Sequence, residues 1–208
     1  MIAIVDYGMG NVRSVQKAFE RLGHAALVTP DPERVRLAAA VVLPGVGAFG
    51  DCMANLEKGA LREPVVESIR AGKPFLGICL GLQLLFTQSE EFGRQKGLDL
   101  VPGRVVRFPS TAPSGEALKV PHIGWNQLRW RSRARIFEDV PEEGYLYFVH
   151  SYYVEPEDPS WIAGTTQYGL PFTSAIARDN VWGVQFHPEK SQSLGLSILD
   201  RFGRLCRT

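Results

Sequence analysis

Apolar and polar positions alternate in blocks along the first hundred residues. Residues 2–6 (IAIVD) form a continuous apolar, mostly β-branched run, which suits a strand buried on both faces. A Gly/Asn turn from Gly8 to Asn11 follows, after which Val15, Ala18, Phe19 and Leu22 recur at helical spacing until Gly23 can end the helix. Residues 25–29 (AALVT) and 39–43 (AAVVL) read as a second and a third strand, the third breaking at Pro44-Gly45-Val46-Gly47. The pattern then predicts a helical stretch from about Asp51 to Arg70, a strand over residues 75–78 (FLGI) and a helix from Leu80 to Gln88. Strands and helices in this alternation imply an α/β fold whose mostly parallel central sheet is covered by helices on both faces.

The rhythm changes from Leu100 onward. Short β-like segments (GRVVRF, HIGWNQLRW, GYLYFVHSYYV, WIAGTTQY, FTSAIA, VWGVQF) are separated by turn residues, with Asp179-Asn180 as a hairpin connection. These predict an antiparallel β portion in the C-terminal half. A last helix is expected from Gln192 to Cys206, with Leu194, Ile198, Leu199 and Phe202 as its apolar stripe. Residues 109–116 (PSTAPSGE) read as an exposed loop. With no internal repeat or long linker, residues 1–208 read as a single domain.

Composition adds mainly exclusions. Hydrophobic residues make up 45% and charged residues 22% of the 208, enough for a packed core. The 23 basic and 22 acidic residues leave a formal net charge of +1, unlike the basic excess of a bulk nucleic-acid binder. The arginines from Arg129 to Arg135 (RWRSRAR) are read as a solvated loop or a partner contact. No apolar run approaches the roughly 20 residues of a membrane span, and the N-terminus lacks the pattern of a secretory signal. Cys52, Cys79 and Cys206 are odd in number and none is spaced as CxxC. That usage fits a reducing cytoplasm, with no disulfide framework and no structural metal or cofactor expected.

One of those cysteines stands in a telling place. Gly77-Ile78-Cys79-Leu80-Gly81 follows a short apolar strand and opens a helix, the spacing of a nucleophile elbow. Glycines flank a turn too sharp for Cβ atoms, and the turn lifts the sulfur out at the carboxyl edge of the sheet. The helix behind it should favour thiolate over thiol, and the Leu80 N–H should point at a developing oxyanion. Taken alone, such a cysteine could equally be a small buried hydrophobe. Gln185-Phe186-His187-Pro188-Glu189 offers a base and its orienting carboxylate, two residues apart at the end of a strand and so on one face. By itself it could be a surface histidine beside a surface glutamate. Pro44-Gly45-Val46-Gly47 ends a strand at the same sheet edge, where N–H groups at Gly45 and Gly47 could complete an anion pocket or simply make a tight turn.

The three strings PGVG, GICLGLQLL and QFHPE, in that order, resemble the class I (triad) glutamine amidotransferase family over nearly the whole chain. The resemblance implies a Cys79–His187–Glu189 triad that hydrolyses glutamine through a γ-glutamyl thioester. By the same match Val46 and Leu80 supply the oxyanion N–H groups, and Gln83, Glu91, His150 and Ser151 contact glutamine. DYGMGNVRSV, PGVGAFGD, PHIGWN (Pro121 to Asn126) and YLYFVHSYY are similar to the branch of the family that passes ammonia to a (β/α)₈-barrel cyclase in histidine biosynthesis. Asn11, Trp125, Tyr145, Tyr147 and Lys190 match positions at or near that subunit interface. Read without the resemblance, the three aromatics fit an interface or the core of the β-rich half. The same triad would also serve a subunit for another acceptor (anthranilate, carbamoyl phosphate or pyridoxal phosphate) or a stand-alone γ-glutamyl hydrolase, while a non-catalytic glutamine-binding scaffold would not need it.

Overall fold

The computed structural model describes all residues except 139, 142, 143, 207 and 208. The N-terminal half supplies β1 (Ile2–Val5), α1 (Val12–Arg21), β2 (Ala26–Thr29), α2 (Pro32–Leu37), β3 (Ala40–Gly45), α3 (Phe49–Lys58), α4 (Arg62–Arg70), β4 (Phe75–Cys79) and α5 (Leu80–Gln83). Next come β5 (Phe86–Ser89), β6 (Gln95–Lys96), β7 (Val101–Arg107), β8 (His122–Gln127), β9 (Arg129–Trp130) and β10 (Tyr145–His150). The chain continues with β11 (Tyr152–Pro156), β12 (Ile162–Tyr168), β13 (Leu170–Arg178), β14 (Val181–Val184) and α6 (Gln192–Leu205).

Among the described residues, twelve strands make one sheet with the path β2-β1-β3-β4-β14-β13-β11-β7-β5-β6, β12 and β9 branching from β13. From β2 to β14 the pairs are parallel; β14–β13, β13–β11 and β11–β7 are antiparallel. The antiparallel portion is therefore continuous with the parallel one. Successive residues of β1 feed opposite cores. Ile2 and Ile4 join α1 and α6 residues such as Phe19 and Phe202. Ala3 and Val5 join α2–α4 residues such as Val35, Leu56 and Val65. An apolar run without alternation is what a strand covered on both sides requires.

This topology puts three strand ends side by side. β4 is paired in parallel with β3 on one side and β14 on the other, with Gly45 opposite Cys79 and Val184 opposite Ile78. The segments leaving β3, β4 and β14 thus emerge at one edge, and they carry the PGVG, elbow and QFHPE strings. β8 and β10 form a separate antiparallel ribbon.

Several expectations need correction. The helix predicted from Leu80 to Gln88 is one turn, and Phe86–Ser89 is a strand. The carbonyls of Leu84 and Leu85 accept from Leu98, Leu100 and Val101 at 2.8–3.0 Å, so neighbouring chain takes the bonds a longer helix would use. The stretch from Asp51 to Arg70 is two helices. Ala60 sits at φ 53°, and the bonds Leu61 N–H to Leu56 O and Ala60 N–H to Glu57 O close α3 in a Schellman motif. The left-handed residue is an alanine just past Gly59, so glycine does not mark the stop. The sequence pattern does not predict α2, β5 or β6, which are short and largely polar, and it runs β8 and β9 together as one segment, HIGWNQLRW. The Asp179-Asn180 hairpin and the last helix fall where expected.

Candidate active site

Cys79 occupies the elbow at φ 54°, a backbone conformation that L-residues rarely adopt. Its flanking glycines make that possible. A Cβ at Gly77 would lie 2.7 Å from the Gly81 carbonyl, and one at Gly81 would lie 1.8 Å from the Leu43 carbonyl. Leu80 starts the single turn α5, so its N–H has no intrahelical acceptor. The helix dipole expected behind the sulfur is accordingly limited to one turn, because dipole strength depends on aligned peptides.

His187 and Glu189 meet through a 3₁₀ turn over Pro188–Lys190 rather than through strand alternation, since β14 stops at Val184. Nδ1 of His187 donates to Glu189 Oε1 at 2.9 Å, with both side chains almost wholly buried. Asn11 Nδ2 reaches the same oxygen at 3.4 Å. The bond from Nδ1 fixes the tautomer and leaves Nε2 toward the pocket. Burial lowers the affinity of His187 for a proton, but hydrogen bonding and charge from Cys79 and Glu189 outweigh it and raise the group to about 10. Nε2 has no partner within hydrogen-bond geometry, although Cys79 is close enough to act on it. Cys79 and His187 are thus neighbours whose side chains are not locked together by a well-formed hydrogen bond. The backbone of His187 is held by Tyr147 O, which accepts its N–H at 2.9 Å, and by Ser191 Oγ, which donates to its carbonyl at 2.6 Å.

Cys79 and His187 border a cavity of about 380 Å³. Val46, Gly47, Leu80, Gln83, Glu91, His150 and Ser151 also line it. Gly45 is not on the wall. It lies behind, where a Cβ would meet the Tyr7 hydroxyl at 2.7 Å. Glu91 Oε2 accepts the Phe49 N–H at 2.6 Å at the start of α3, fixing a carboxylate beside the cavity. His150 has both ring nitrogens engaged: Nδ1 donates to Tyr152 O at 2.8 Å, and Nε2 accepts from His122 Nδ1 at 3.0 Å. Burial pushes His150 down to about 3 and His122 down to about 4, so both are neutral imidazoles. His150 therefore has backbone and a ring face, not a free ring nitrogen, to offer a ligand.

Residues outside the three motifs hold the loop that leaves β3. The Tyr7 hydroxyl donates to Pro44 O at 2.9 Å, and the Cys52 thiol donates to Val46 O at 3.6 Å. Burial raises Cys52 to about 11, which keeps the proton this bond needs. Neither contact follows from a local pattern, because one joins segments 37 positions apart and the other reaches from α3 back to the loop before it.

The β8–β10 ribbon turns Leu146, Phe148, His150 and His122 inward. Its other face carries Ile123, Trp125 and Tyr145 at 59, 44 and 57% exposure. Trp125 meets Tyr147 edge-on with ring centroids 5.8 Å apart, and Lys190 Nζ lies 5.9 Å from the Tyr147 ring centroid. The core alternative for Trp125 and Tyr145 is thereby excluded. Val149 of the same strand lines the cavity, so the exposed aromatic face adjoins the pocket. Asn11 sits against the triad carboxylate. The arginines from 129 to 135 lie on the surface.

A sulfur nucleophile, an imidazole oriented by a carboxylate and an α/β sheet with parallel strand ends beneath them describe a cysteine-dependent acyl-transfer enzyme. Solved structures agree on the fold: a glutamine amidotransferase superposes with a TM-score of 0.75 at 16% identity, covering 100% of this chain and 99% of its own. One chain of PurLQS from Thermotoga maritima gives 0.68 at 16% identity, covering 100% and 98%. The chain belongs to the class I glutamine amidotransferase family, whose model matches residues 3–204. It is 58% identical to the imidazole glycerol phosphate synthase subunit HisH of Syntrophotalea carbinolica over 98% of this chain and 99% of that one. It is 57% identical to the HisH subunit of Geobacter sulfurreducens, with 98% of both chains covered.

Proposed function

We propose that the chain is the glutaminase subunit of an imidazole glycerol phosphate synthase, releasing ammonia from glutamine for a cyclase partner in histidine biosynthesis. The resemblance to HisH subunits over nearly the full length supports the assignment. The observation that carries the chemistry is the orphaned Nε2 of His187 facing the same cavity as Cys79. The Cys79 thiolate attacks the side-chain carbonyl carbon of glutamine, and N–H groups of Val46 and Leu80 receive the charge on oxygen. His187, as imidazolium, gives its proton to the leaving nitrogen; the C–N bond breaks and ammonia departs. Water, giving a proton to His187, then attacks the thioester, the C–S bond breaks, and glutamate leaves. Glu189 keeps Nδ1 of His187 protonated throughout. The Glu91 carboxylate suits the α-ammonium of glutamine, and Gln83 and the backbone of His150 and Ser151 complete the wall.

Trp125, Tyr145, Tyr147 and Lys190 are assigned to the interface with a (β/α)₈-barrel cyclase, which would turn the ammonia and a ribulosyl nucleotide into imidazole glycerol phosphate and an aminoimidazole carboxamide ribotide. The exposed aromatic face beside the pocket supports this placement. Among the described residues no helix is long and apolar enough to cross a membrane. Glutamate and ammonia release would be measured for the chain alone and with the cyclase and its ribonucleotide. A low rate that rises on addition, and that vanishes in Cys79→Ala, is expected. Retained hydrolysis in Cys79→Ala would refute the nucleophile, and a full rate without partner would favour a stand-alone hydrolase.

A further inference from the structure

Gln185 is fully buried two residues before His187, and none of the steps above uses it. Its surroundings decide which way its carboxamide points. The Tyr152 carbonyl can only accept, so the Gln83 atom 3.0 Å from it is the donor Nε2. That Nε2 directs its other hydrogen to a Gln185 atom, also at 3.0 Å, which must therefore be the acceptor Oε1. Gln185 Nε2 is left facing Cys79 Sγ at 3.7 Å. The orientation is thus imposed by a backbone carbonyl, one that also accepts from the neutral His150 on its other side.

We propose that Gln185 is a further catalytic residue, its Nε2–H donating to the Cys79 sulfur and favouring the thiolate over the thiol. A thiolate is an acceptor only, whereas a thiol carries a proton of its own, so a fixed donor discriminates between the two forms. The one-turn α5 contributes little dipole, which gives a side-chain donor more weight. The buried setting strengthens it further. The same bond serves both halves of the reaction. It holds the electron pair that attacks glutamine, and it receives that pair again when the C–S bond breaks and sulfur leaves. Gln83 is then a positioning residue as well as part of the pocket wall, because it aims Gln185.

The inference rests on Cys79 as nucleophile, which the Cys79→Ala assay tests separately. The rate of Cys79 alkylation by iodoacetamide, read by mass spectrometry of its peptide in the full chain, is to be followed across pH. Gln185→Glu keeps the shape and the bond from Gln83 but turns an oxygen toward sulfur; Gln185→Met removes the donor. Other titratable groups acting around Cys79, namely His187, Tyr7 and Cys52, are the same in all three proteins. At neutral pH alkylation should slow several-fold in Gln185→Met, with the midpoint of the pH–rate curve displaced upward; Gln185→Glu should slow it further, but its added carboxylate raises the midpoint by charge alone, so the uncharged variant decides. A merely structural role would lower the amplitude in Gln185→Met and leave its midpoint in place. An unmoved midpoint in folded variants overturns the proposal. Should neither variant fold, the side-chain ¹⁵N resonance of Gln185 in the unmutated chain decides. Movement at the alkylation midpoint supports the bond to sulfur, and a flat titration overturns it.

Discussion

The buried His122–His150 pair makes the chain sensitive to acid, by an amount that follows from its geometry. The two residues are 3 and 6% exposed and share one hydrogen bond of 3.0 Å. Burial holds them down to about 4 and about 3, from an ordinary value near 6.5. Above about 6.5 both are neutral whether folded or not, and the stability they contribute is whole. As pH falls below that value the unfolded chain takes up protons that the native chain refuses, so stability declines, and it is fully lost once pH passes the folded values. At about pH 5 each histidine costs about 2 kcal/mol, and the pair about 4 kcal/mol, a large part of a total of about 5–15 kcal/mol. His122→Asn isolates one of them. An asparagine Nδ2 can take the place of the imidazole Nδ1–H that His150 accepts, while removing the titration. Urea melts of both proteins at about pH 7.5 and about pH 5 supply the four stabilities. The unmutated chain should lose about 2 kcal/mol more than the variant on acidification. His187 acts in the opposite sense, because its raised affinity contributes stability that is full below about 6.5 and is lost as pH rises through about 10. It is present in both proteins and cancels in the difference. Equal losses on acidification would show that His122 is protonated in the native chain and that the neutral pair described above is wrong.

Two further substitutions test the frame and the partner face. Gly81→Ala would place a methyl group 1.8 Å from a backbone carbonyl that no rotamer can move aside, and should destabilise the chain by roughly 3 kcal/mol in a urea melt; a change under about 1 kcal/mol would mean the elbow yields easily. Trp125→Ala should weaken association with the cyclase by about 2 kcal/mol, roughly 30-fold in Kd by titration calorimetry, and an unchanged affinity would remove the β8–β10 ribbon from the interface.

Much of the site is legible in the sequence because its chemistry imposes local constraints. A nucleophile at φ 54° needs Gly77 and Gly81 around it, and that need leaves a spacing in the chain. His187 and Glu189 are readable as a pair because they are two residues apart, yet strand alternation is the wrong reason: a 3₁₀ turn brings them together. Gln185 lies in the same string without a visible role, since its meaning depends on Gln83, Tyr152 and Cys79. The helix expected from Leu80 to Gln88 is cut short for a similar reason. LLF reads apolar in either conformation, and only the returning segment at Leu98–Val101 claims its carbonyls for a sheet.

The sequence by itself determined the parallel α/β frame and the glycine-flanked elbow, and it singled out Cys79, His187 and Glu189 as the candidate nucleophile, base and carboxylate. These depend on short-range periodicity, on glycine at fixed offsets and on residue chemistry. Only the tertiary structure decided that the antiparallel half continues the same sheet, that Trp125 and Tyr145 face outward, and that His150 is already bonded at both nitrogens. It alone also shows which atom of Gln185 faces the sulfur. Each of these depends on which group lies across a gap between distant segments, and a hydrogen bond or a buried ring is defined by its partner, which a linear pattern does not contain.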